Sequence, residues 1–161
     1  LLMLLQLCTA CSETTYHSNE EIGRAFQRHK STFENVAVSA VGENSGYIHK
    51  LDAEGQETEC GDSGCKLMEA DGLHIHLQRE MSDTELRHIA EAALALMENV
   101  DIESISFSQE AVRFHLKDES EYSWDPTIVY WRADDADEGK IGYGEAVCRL
   151  ADHWYAALIT R

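Results

Sequence analysis

The chain has 161 residues, 43% hydrophobic and 27% charged, which suits one globular domain and excludes collagenous, coiled-coil and disordered classes. Thirty Asp and Glu oppose thirteen Lys and Arg, a formal net charge of -17, so the surface repels phosphate backbones and nucleic acid is excluded as a partner. This length can bury a core without metal or multiple disulfides, and no long low-complexity linker divides it.

In chain order, Leu1 to Leu7 are nearly all apolar, and polarity begins abruptly at Ser12-Glu13, after Cys8-Thr9-Ala10-Cys11. The run is far shorter than the roughly 20 residues that span a bilayer, and no initiator Met or basic stretch precedes it. It reads as the end of a secretory signal whose start is expected upstream. Cys8-Thr9-Ala10-Cys11 resembles a bacterial lipoprotein lipobox, with Ala10 before the cut, Cys11 as the lipidated residue and Cys8 where Leu is usual. Cys8 and Ala10 also suit an ordinary signal-peptidase site, but Cys11 stands just where hydrophobicity stops, which favours the lipoprotein. The resemblance implies a signal remnant over 1–10, a tether over 11–17, and a single domain over 18–161. It also implies a lipid anchor to the membrane and a periplasmic or outer-membrane-anchored location. In that oxidising space Cys60 and Cys65, separated by Gly61-Asp62-Ser63-Gly64, are expected to form a local disulfide. Cys148 is expected unpaired and buried on a helix.

Ser18-Asn19-Glu20-Glu21 has the spacing of a capping box and predicts a first helix over 19–32, with Ile22, Ala25, Phe26 and Phe33 at helical intervals. Val36, Val38 and Ala40 alternate as a strand does, and Tyr47 to Leu51 is expected to return beside them. Leu73, Ile75 and Leu77 alternate with His74, His76 and Gln78, predicting a strand with one apolar and one polar face. Ser82-Asp83-Thr84-Glu85 repeats the capping box, with Met81 and Leu86 as a hydrophobic staple, and predicts a second helix over 83–98. Ile105 and Phe107 then turn through Gln109-Glu110 into Val112, Phe114 and Leu116, and Thr127 to Arg132 forms a further strand. Val147, Leu150, Ala151, Trp154 and Leu158 predict a third helix over 145–159.

The capping boxes at Ser18 and Ser82 are 64 residues apart, as are Glu34-Asn35-Val36 and Glu98-Asn99-Val100, and Ile48 to Asp52 echoes Phe114 to Asp118 at an offset of 66. The expected fold is therefore α+β: an antiparallel sheet with helices packed on one face, in two helix-hairpin repeats plus a C-terminal helix.

Three groups of residues carry chemistry. His74-Ile75-His76 followed by Glu80 places two imidazoles on one strand face with a carboxylate nearby, a set suited to Zn2+ or Mn2+. His49 or His115 completes the set if the sheet brings either near. The spacing is similar to part of the first cupin metal motif, but Met68 and Arg87 stand where that motif has glycines, so a cupin is not expected. Asp134 to Glu145 resembles a twelve-residue EF-hand loop, which implies Ca2+ on Asp134, Glu138 and Glu145 with Gly139 at the turn; Ala136 replaces one ligand. Tyr122 and Trp124, in a loop-like segment, form an aromatic pair that offers a partner-binding anchor.

No complete catalytic set is present, so no residue is assigned a catalytic role. Gly61-Asp62-Ser63-Gly64 matches a serine-protease nucleophile loop, but the chain is too short for that fold and Ser63 reads as a turn residue. The expectation is a non-enzymatic, lipid-anchored bacterial envelope protein that binds a partner protein or small ligand. A small metal-dependent enzyme using His74, His76 and Glu80, and an immunity protein against a basic toxin, are the alternatives.

Overall fold

Helix formation begins where the sequence supplies caps. The computed structural model describes residues 18–40, 45–50, 66–70, 72–78, 81–117, 124–134, 138–141 and 147–160, with 66–70, 124, 138, 139 and 160 as backbone alone. Helix α1 spans Asn19–Ser39, and the Ser18 hydroxyl accepts a hydrogen bond from the Glu21 N–H at 3.3 Å. Helix α2 spans Asp83–Met97 behind a complete capping box. There the Ser82 N–H donates to Glu85 Oε2 at 3.0 Å and the Glu85 N–H donates to Ser82 Oγ at 3.3 Å. Met81 packs against the same core as Leu86, as a staple requires.

Neither helix has a basic residue in its last turn. Cations from the sheet serve instead: Arg132 donates to the Ala40 carbonyl, and Lys50 Nζ donates to the Met97 carbonyl at 2.8 Å. Each tie satisfies an orphan carbonyl and meets the negative end of a helix dipole.

Among the described residues eight strands form one antiparallel sheet: β1 (Gly46–Lys50), β2 (Lys66–Ala70), β3 (Leu73–Leu77), β4 (Ile102–Phe107), β5 (Ala111–Leu116), β6 (Trp124–Trp131), β7 (Val147–Ala151) and β8 (Trp154–Thr160). Their spatial order is β2-β3-β1-β4-β5-β6-β8-β7. Ile75, Ile48, Ile105, Phe114, Ile128 and Ala156 stand opposite one another across six adjacent strands. All six are fully buried and share one core with Ile22, Phe26 and Phe33 of α1 and Ile89, Ala93 and Leu96 of α2. One residue along each strand, side chains point to the opposite side of the sheet. That second row reads His74, His49, Ser104, His115 and Thr127 across β3, β1, β4, β5 and β6.

Two predicted elements are corrected, and with the second the expected setting of Cys148. Residues 36–40 do not form a strand, because α1 continues through Ser39. The buried positions Ile22, Phe26, Phe33, Val36, Ala37 and Ala40 keep a helical spacing, whereas Val38 is 70% exposed. Burial of one helical face outweighs the weak strand preference of two valines.

The third helix expected over 145–159 is also corrected: over the described residues 147–160, β7 and β8 make a hairpin, turning at Asp152-His153 with His153 at φ 63. Helical spacing accounts for Trp154 and Leu158 but not for Tyr155, Ala156 and Ala157, all of which are buried. A strand covered on both sides explains them. Trp154 and Ala156 enter the main core, while Tyr155 joins a smaller cluster with Ala111, Val129, Trp131 and Ile141. Consequently Cys148 is exposed on strand β7, and it is a free thiol.

The matched segments of the sequence echo also take unlike places. Glu34-Asn35-Val36 lies inside α1 whereas Glu98-Asn99-Val100 follows α2, and His49 lies on β1 whereas His115 lies on β5.

Candidate metal centre

Strand pairing assembles a histidine cluster. β1 lies against β3 with His49 opposite His74 and Tyr47 opposite His76. Directly opposed and diagonal residues of an antiparallel pair share a face, so three imidazoles meet. The His49 ring centroid lies 5.1 Å from that of His74 and 5.7 Å from that of His76, and His74 and His76 are 6.2 Å apart. One ring nitrogen from each lies within 4.8 Å of the other two. A zinc ion with bonds of about 2.1 Å holds tetrahedral nitrogens about 3.4 Å apart, so binding would draw the three rings closer together than they stand here.

His74 is buried at 1% exposure, and His49 and His76 are half-buried. Desolvation, with a smaller contribution from the charge of His74, holds the His76 imidazole below its usual 6.5. The neutral ring that a metal requires is therefore the favoured form. Tyr47 completes the group, its ring 5.2 Å from His49 and 6.2 Å from His76.

The structure brings His74 and His76 to one face, as the spacing predicts, and places His49 beside them as a third imidazole. Glu80 lies outside the described residues. His115 sits two strands beyond His49, with its Nε2 3.2 Å from Ser106 Oγ. Burial holds that imidazole below its usual value, opposed by the charge of Asp125.

The calcium expectation finds no such convergence among the described residues. Asp134 is fully exposed, its carboxylate 3.7 Å from His153 Nε2. Glu138 opens a one-turn helix α3 (Glu138–Ile141), and the following element is strand β7 rather than the closing helix of an EF-hand. Glu145 lies outside the described residues, as do Cys11, Cys60, Cys65 and Tyr122; Trp124 opens β6. Among the described residues no helix is long and apolar enough to cross a membrane.

The chain matches no family model, no curated protein and no solved structure.

Proposed function

We propose that this chain is a divalent transition-metal-binding domain of the bacterial envelope, with His49, His74 and His76 as the ligands and Zn2+ as the ion that suits them best. The observation that carries this reading is the convergence of three ring nitrogens within 4.8 Å. Three neutral imidazoles are borderline ligands that suit Zn2+ and leave a fourth coordination position open. The net charge of -17 favours cation approach. In this reading the helices pack on one face of the sheet and the ion is held on the other. The small ligand expected from the sequence is then the metal ion itself, bound without chemical conversion. The lipobox-like Cys8 to Cys11 supports a lipid-anchored, periplasmic or outer-membrane location.

Calorimetric titration of the full chain, purified and then stripped of metal, tests the assignment. One Zn2+ is expected to bind, with Ca2+ far weaker. His49→Gln and His76→Gln are each expected to weaken Zn2+ by on the order of 100-fold, since each removes one of three ligands. A ligand at 100 times its Kd adds about 2.7 kcal/mol to native stability, so the thermal midpoint should rise with Zn2+ much more in wild type than in either variant. Undiminished Zn2+ affinity in the double variant would exclude this site.

A further inference from the structure

A second chemical grouping stands on the same face of the sheet as the histidine cluster. Ser106 of β4, His115 of β5 and Asp125 of β6 come from three successive strands, with the histidine in the middle. Register fixes their order. Ser104 and Thr127 stand directly opposite His115, so Ser106 and Asp125 each lie one diagonal step from it, towards opposite ends of β5. Diagonal neighbours share a face and lie within reach of a ring side chain.

Ser106 Oγ lies 3.2 Å from His115 Nε2. With the ring proton on Nδ1, the serine O–H donates to Nε2, the contact through which an imidazole takes a hydroxyl proton. Burial holds this ring below its usual 6.5, with the charge of Asp125 opposing that shift and the charge of Arg113 adding to it. At about pH 7 the imidazole is therefore neutral and free to act as a base. Asp125 favours the imidazolium that forms when the proton arrives, which is the part a carboxylate plays in a serine hydrolase triad. Ser106 and His115 are both half-buried, so the pair is shielded from water without being sealed in the core. β4 is paired on both sides, which commits its N–H groups to the sheet rather than to an oxyanion. Esters, whose carbonyl is more electrophilic than that of an amide, are the acyl donors this arrangement suits.

We propose that Ser106 is a nucleophile activated by His115, with Asp125 as the positioning residue, and that the group transfers acyl from small carboxylic esters to water. Ser106 Oγ bonds the carbonyl carbon while its proton passes to His115 Nε2. The C–O bond to the alcohol then breaks, and the proton leaves with the alcohol. Water repeats the exchange: His115 takes its proton, the acyl–Oγ bond breaks, and Ser106 recovers a proton as the carboxylic acid departs.

A fluorophosphonate ester tests this, because it bonds covalently to a serine that a neighbouring base activates. The full chain is stripped of metal first, so that no metal-bound hydroxide contributes. Oγ attack forms an O–P bond and breaks the P–F bond, and peptide mass is expected to place one phosphonyl group on Ser106. Ser106→Ala should take up none, and His115→Gln should be labelled more slowly by about 100-fold, the scale of a lost general base. Release of nitrophenol from p-nitrophenyl acetate should fall in the same two variants. In wild type the labelling rate should rise with pH to a plateau as His115 loses its proton. Asp125→Asn is expected to move the midpoint of that rise downward, since its charge no longer supports the imidazolium while Arg113 still opposes it. Absence of a phosphonyl group on Ser106 in wild type would overturn the proposal, as would labelling of His115→Gln at the wild-type rate. Neither result bears on Zn2+ binding by the other three histidines.

Discussion

His115 shows how one buried side chain ties stability to pH. Its folded imidazole lies below the usual 6.5 because burial penalises the charged ring more than Asp125 supports it. Above that value the ring is neutral in both the folded and unfolded chain, and its contribution to stability is fully present. As pH falls below it, the unfolded chain takes up a proton that the native chain resists, so native stability declines until the lower folded value is passed. Urea unfolding of wild type and His115→Gln at about pH 7.5 and about pH 5.5 measures this part. The wild type is expected to lose more stability than the variant over that interval. Equal losses would show that the buried ring is not the source. In sequence, His115 is one of several histidines alternating with apolar residues, and its bond to Ser106 depends on β4 and β5 lying side by side.

Elements that begin with a local chemical signal are legible from sequence, and α2 is the clearest. Its start, staple and buried face all follow from residues within one helical turn of each other. Ser82→Ala removes the side-chain acceptor for Glu85 N–H and is expected to destabilise the domain by about 1 kcal/mol, read as a lower denaturation midpoint with an unchanged slope. A loss near zero would show that the reciprocal bonds of the cap are replaced by water at no cost. The β4–β5 hairpin is legible for a similar reason, since Gln109-Glu110 separates two alternating runs. Where an element ends is less local. α1 continues through Val36 because its next buried face finds a core, and its last carbonyl finds Arg132 from 92 residues away.

At the scale of the molecule, Trp154 explains why the C-terminal segment is a hairpin. Its ring centroid lies 4.9 Å from Phe26, 5.0 Å from Tyr130, 5.9 Å from Phe114 and 6.2 Å from Phe33. One side chain thus joins α1, β5, β6 and β8. β8 also pairs with β6 along seven residue positions from Trp124↔Thr160 to Tyr130↔Trp154, a ladder that a helix there would leave unmade. Trp154→Ala is expected to cost about 3–5 kcal/mol in urea unfolding, the range for emptying a large aromatic site in a core. A loss under about 1 kcal/mol would place this ring outside the main core. Helical spacing in residues 147–158 is a real pattern, but it accounts for too few of the buried side chains to decide the element.

The sequence by itself determined an acidic α+β domain, the two capped helix starts, the alternating strands around His74 and Phe114, and the placing of His74 and His76 on one face. Those features depend on neighbours within a few residues, where backbone periodicity and capping chemistry act. Only the tertiary structure decided that β1 lies beside β3, which carries His49 to the other two histidines across 25 residues of chain. It also decided that residues 147–160 extend the sheet rather than forming a helix. Both outcomes follow from strand order and from burial on two sides of a sheet, which are set by distant partners competing for the same core.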